Sequence, residues 1–122
     1  ITICKEDEGV SICHGLSYSK NRAVLMMQHT GFLDSINSIR AMGMDYQLPI
    51  IMLVGLQGLE PETSPNESNH NGVRIIIPML ELMQIDFHIL NNQSDVSSIS
   101  DLIDSAYMKS SPYVFLVPRA PL

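Results

Sequence analysis

Four short runs, Ala23–Met27, Ile50–Val54, Phe87–Leu90 and Tyr113–Val117, are apolar almost without a break. A strand with one wet face alternates apolar and polar residues, whereas a strand covered by helices on both faces does not. These runs therefore predict parallel strands buried on both sides. Ile1-Thr2-Ile3-Cys4 reads as the end of a fifth, whose beginning is expected to precede Ile1. Amphipathic segments lie between the runs. Val10–Leu16 carries the first. Phe32, Leu33, Ile36 and Ile39 recur at helical spacing, with Asp34, Ser35, Asn37 and Arg40 opposite them. Val73, Ile76, Ile77, Leu80 and Met83 mark a third helix, and Val96, Ile99, Leu102, Ile103 and Ala106 a fourth. Strand and helix alternate from end to end. That order predicts a three-layer α/β/α fold with a mostly parallel sheet and right-handed crossovers, in one domain spanning 1–122.

The punctuation fits this reading. Ser97-Ser98-Ile99-Ser100-Asp101 places small capping residues ahead of the last helix. Only Gln57–Asn71 lacks periodicity. It holds Gly58, Pro61 and Pro65, so it reads as a long loop after a strand, and loops of that length are usually functional or disordered. The methionines, such as Met26, Met27, Met79 and Met83, read as adaptable core packing. Cys4 and Cys13 sit among apolar neighbours and read as buried free thiols, which fits a reducing, cytoplasmic compartment. The two Asn-x-Ser tripeptides at Asn66 and Asn92 have no other sign of secretion beside them.

Charge and length exclude several classes. The net charge is −6 and the Lys and Arg residues are scattered, so the basic stripe of a nucleic-acid binder is missing. No apolar run approaches the roughly 20 residues that cross a bilayer. There is no Gly-rich phosphate loop, no dinucleotide fingerprint and no Gly-x-Ser-x-Gly elbow. His14, His29, His70 and His88 lack metal-ligand spacing.

What remains is an acidic cluster where a strand becomes a helix. Lys5-Glu6-Asp7-Glu8 follows Ile1–Cys4, and Gly9–Gly15 continues as helix. The second run ends in Gln28-His29-Thr30-Gly31 and passes into the next helix. In a parallel sheet these two junctions lie side by side at the edge where open α/β sheets bind ligands. Acids in a helix's first turn also complement its dipole, so a purely structural cluster, in a non-catalytic α/β interaction domain, is the rival reading.

The ordered set Glu6-Asp7-Glu8-Gly9-Val10, Gly15, Val24–Gly31, Asn37, Leu48–Gly55 and Pro112–Pro118 resembles the pyrimidine-binding domain of thiamine-diphosphate-dependent decarboxylases. Within that group it is similar to the sulfopyruvate decarboxylase alpha subunit and to phosphonopyruvate decarboxylase. The resemblance implies the thiamine-diphosphate-binding fold and decarboxylation of a small 2-oxo acid. It also implies a catalytic glutamate nine positions before the first helix's glycine, which is Glu6 counted from Gly15. Such a carboxyl group hydrogen-bonds a ring nitrogen of the cofactor's aminopyrimidine and favours the imino form that takes a proton from the thiazolium carbon. Gln28, Thr30 and Gly31 are implied beside the cofactor. His29 and His70 are implied on the substrate side, although a plain strand-end histidine fits His29 equally well. The chain departs from the pattern in three places. Gln57 stands where relatives often carry arginine, His14 replaces a small residue, and no Gly-Asp-Gly precedes Asn91-Asn92. The resemblance therefore implies no metal ligand in this chain. Magnesium and the diphosphate would be bound by a partner beta subunit or domain, within a homo- or hetero-oligomer.

Overall fold

The computed structural model describes residues 1–118. Four strands, β1 (Val24–Gln28), β2 (Ile51–Gly55), β3 (Asp86–Ile89) and β4 (Tyr113–Val117), form a sheet in the order β1-β2-β4-β3. Every pairing is parallel, with Val24 opposite Ile51, Ile51 opposite Tyr113, and Asp86 opposite Tyr113. Helices cover both faces, as the alternation of strand and helix requires. On one face Leu25, Met52, Val54, Val114 and Leu116 pack against α1 (Glu6–Tyr18), α2 (His29–Asp34), α3 (Ile36–Ile39), α4 (Asn71–Arg74) and α5 (Ile76–Met83). The second, smaller core joins Ile51, Tyr113 and Phe115 to Ala106, Leu102 and Ile103 of α7 (Ile99–Lys109), which follows α6 (Gln93–Ser97).

Several local expectations are corrected. Ile1–Cys4 is not a strand. Ile1 is fully exposed, and the Cys4 amide donates to the Glu8 carboxylate (3.1 Å) instead of to a ladder. The Cys4 thiol is exposed, whereas Cys13 is buried, and burial raises the pKa of the Cys13 thiol. β1 is buried on one face only. Val24 and Met26 are exposed because α7 covers β2 and β4 and leaves the same face of β1 bare.

The second helix breaks after Asp34. Ser35 is fully buried and its hydroxyl donates to the Gly31 carbonyl (2.8 Å), a back-bond that bends helices, and Arg40–Asp45 then winds as a π-helix. The third divides at Ile75, since Pro78 has no N–H to donate to the carbonyl of Arg74. Ser98 stands at the N-cap of the last helix but makes no side-chain cap bond, and the side-chain cap of this region is made ahead of α6 by Asn92. The Asn92 side chain accepts from the Asp95 amide (3.1 Å) while Asp95 accepts from the Asn91 and Asn92 amides. The Asn91 amide, with His88 and Asn92, holds the Asp95 carboxyl below the usual carboxylate range.

Candidate functional site

At the carboxyl edge of the sheet, β1 runs straight into α2, so Gln28 is the last strand residue and His29 the first helical one. β2 ends at Gly55 and continues through Leu56, whose amide donates to the Val117 carbonyl (2.9 Å) and prolongs the β2–β4 seam. A cavity of about 570 Å³ opens here, lined by Gln28, Gly55, Leu56, Gln57, Gly58, Val117 and Pro118. Its polar side chains are two amides, and none of the described residues lining it is charged. The absence of an arginine at position 57 is thus visible in the site as well as in the sequence.

The acidic junction meets the next one directly. Glu6 is the first residue of α1, half-buried, and its side chain lies on the Cα of Gly31 in α2. A Cβ on Gly31 would stand 2.5 Å from the Glu6 carboxyl carbon and from Oε1, closer than any real contact allows. Glycine at 31 is what admits the carboxyl group. Around it the other charges are engaged with one another. Lys5 faces Asp7 (3.9 Å) and Asp34 (3.5 Å), and the exposed Glu8 is turned back to the Cys4 amide. No hydrogen bond or ion pair ties the Glu6 carboxylate to another of the described residues. Glu6 belongs to a separate recess of about 360 Å³, shared with residues 1–5 and Met26, and is not part of the amide-lined cavity.

The two histidines are placed very differently. His29 is 7% exposed, its Nδ1 is buried with no partner, and its Nε2 edge faces the Cα of Gly72, where a Cβ would stand 2.9 Å away. His70 is exposed and stands just before α4, with its ring lying flat over Gly58 at about 3.4 Å from where a Cβ would be. Gly58 has φ +90°, a conformation that suits glycine. Thr30 and Gln28 are exposed, Gln28 at the cavity and Thr30 on the first turn of α2.

Sequence reasoning missed what holds the long loop in place. Glu60 accepts from the buried Ser68 hydroxyl (2.8 Å) and the Asn69 amide (2.9 Å), Ser68 Oγ also accepts from the His70 amide (3.1 Å), and Arg74 donates to the Ser68 carbonyl (2.8 Å). The Ser68 hydroxyl is the main cause that lowers the Glu60 carboxyl to a pKa of about 2. Among the described residues no group of three or more His, Cys, Asp or Glu converges on a metal position, and no helix is long and apolar enough to cross a membrane.

Comparison with known proteins agrees with the resemblance that the motifs carry. The chain is 31% identical over 58 residues, 48% of its length, to the sulfopyruvate decarboxylase subunit alpha of Methanococcus maripaludis. It is 22% identical, over 96% of its length, to the sulfopyruvate decarboxylase of Methanosarcina acetivorans. With the sulfopyruvate decarboxylase subunit alpha of Methanothermobacter thermautotrophicus it shares 24% identity over 96% of its length and 70% of that protein's. The chain spans 35% and 30% of the lengths of the first two relatives. No family model matches it.

Proposed function

We propose that this chain is the pyrimidine-binding part of a thiamine-diphosphate-dependent decarboxylase acting on a small 2-oxo acid. The observation that carries the proposal is the Glu6 carboxyl seated on Gly31, where the acidic junction and the next strand–helix junction meet. The residues fit the ring end of the cofactor. Glu6 has an unengaged carboxyl in a recess, and Gly31 presents no side chain in front of it. Gln28 and Thr30 are open to solvent on the same strand–helix turn and are available to the ring as polar partners. When bound, thiamine diphosphate supplies the carbon nucleophile that lets a 2-oxo acid lose carbon dioxide.

The chain's own part is to hold and position. Glu6 keeps a proton at its carboxyl against a ring nitrogen, a general acid–base role. His70, exposed beside the amide-lined cavity, faces the substrate side. A partner subunit or domain holds magnesium and the diphosphate, a reading supported by the relatives whose names designate an alpha subunit.

The test is Glu6→Gln in the complex of the chain with its co-purifying partner. The substitution keeps the size but removes the exchangeable carboxyl proton, so kcat is expected to fall by about 10²–10⁴-fold. Glu8→Gln is the control, because Glu8 is turned to the Cys4 amide. Full turnover in Glu6→Gln would return the acidic cluster to helix-dipole duty, and lost turnover in Glu8→Gln alone would shift the nine-residue register.

A further inference from the structure

A ring nitrogen buried without a partner is uncommon, and leaving it so costs about 1–3 kcal/mol. His29 carries such an atom. Nδ1 is shut off from solvent and from every described donor or acceptor, while the opposite edge of the ring rests on Gly72. A leucine or methionine would fill a helix–helix gap without that cost. What the flat ring achieves is a close approach of α2 to α4, at a glycine that is itself unfavourable inside a helix. Gly72 is the second residue of α4, and His70 immediately precedes the helix.

The contacts therefore form a continuous series. Glu6 lies on Gly31 in α2, His29 at the head of the same helix lies on Gly72, and His70 at the head of α4 lies on Gly58 beside the cavity. From the loop side His70 is held through its amide by Ser68. From the helix side, the wedge of His29 against Gly72 joins the start of α4 to the strand–helix junction that also seats Glu6.

We propose that His29 is a positioning residue, which fixes the start of α4 and through it His70, rather than a group that touches substrate. That role in turnover rests on the decarboxylase reading, but the placement of His70 does not. Its ring signals can be followed by NMR in the full chain without cofactor.

Gly72→Ala forces the His29 ring away, so the His70 ring resonances should move. In the partnered enzyme KM for pyruvate should rise at least about threefold, with kcat changed less. His29→Ala removes the wedge and should move the same resonances, and the double variant His29→Ala/Gly72→Ala should do no worse than His29→Ala alone, because both changes act through the one contact. Should Gly72→Ala not fold, His29→Gln, which keeps much of the bulk but not the rigid ring, carries the same readouts. Unmoved His70 resonances in these variants, or single effects that simply add in the double variant, would overturn the proposal. Absence of 2-oxo acid decarboxylation by the partnered wild-type chain would defeat the decarboxylase reading and leave the His70 measurement standing.

Discussion

At the scale of single residues, the site depends on what a side chain is allowed to lean on. Gly31 is the clearest case. Alanine is a better helix former than glycine by about 1 kcal/mol, and α2 alone would gain from the change. Yet the new Cβ would overlap the Glu6 carboxyl carbon and Oε1 at 2.5 Å, and overpacking of that kind costs about 1–3 kcal/mol unless the neighbour moves. Glu6 is half-buried and can swing out, so the expected result is a small net stability change with a displaced carboxyl. Gly31→Ala should melt within a few degrees of the wild type while the partnered enzyme loses activity on the order of the Glu6→Gln loss. A Gly31→Ala enzyme with wild-type kcat would show that the carboxyl does not need that seat. The contact itself was not legible in the sequence. Spacing placed Glu6 and Gly31 at neighbouring junctions, but nothing in a linear pattern says which side chain a glycine is making room for.

At the scale of elements, the long loop after β2 is ordered by one carboxylate. Glu60 accepts from the Ser68 hydroxyl and the Asn69 amide, and these bonds hold its pKa at about 2, below the ordinary 4.5. A carboxyl group depressed on folding adds stability that is complete above its unfolded value and is lost as the pH falls through its folded one. The stability difference between wild type and Glu60→Gln should accordingly be constant above about pH 4.5 and shrink as the pH approaches 2. Denaturant titrations of both proteins across that range check it, and a difference that stays level down to pH 2 would mean that the loop is held by other bonds. The sequence marked this stretch as a loop because Gly58, Pro61 and Pro65 break every periodicity. It could not show the clamp, which depends on Glu60 and Ser68 meeting across the turn. Apart from the strand expected at Ile1–Cys4, element existence was legible, whereas element continuity was not. Ser35 and Pro78 each split a helix whose apolar spacing runs on without interruption.

At the scale of the whole molecule, the site has two separate parts, an acid-bearing recess at Glu6 and an amide-lined cavity at the ends of β1, β2 and β4. The three-layer plan and the four strands follow from uniform apolar runs. Which strand lies at the edge does not, because Val24 and Met26 look as buried in sequence as Val114 and Leu116 do. Neither part holds a set of metal ligands among the described residues. On the proposed reading turnover is expected only from the chain with its partner, and robust decarboxylation by the purified chain alone would contradict that division of labour. The cavity also bears on substrate choice. The relatives are named for sulfopyruvate, whose sulfonate calls for a cation or several strong donors. Gln57 offers an amide where the family resemblance implies an arginine, and its cavity neighbours Gln28, Leu56 and Val117 bring no positive charge. A neutral amide gives an anion roughly half the hydrogen-bond strength of a charged donor and no long-range attraction. In the partnered enzyme kcat/KM for sulfopyruvate should therefore exceed that for pyruvate by less than about 100-fold, or 2.7 kcal/mol of transition-state discrimination. Gln57→Arg should raise the ratio by restoring the charge at the rim of the cavity. A wild-type ratio above 100-fold, unmoved by Gln57→Arg, would place the anion site on another residue of the assembly.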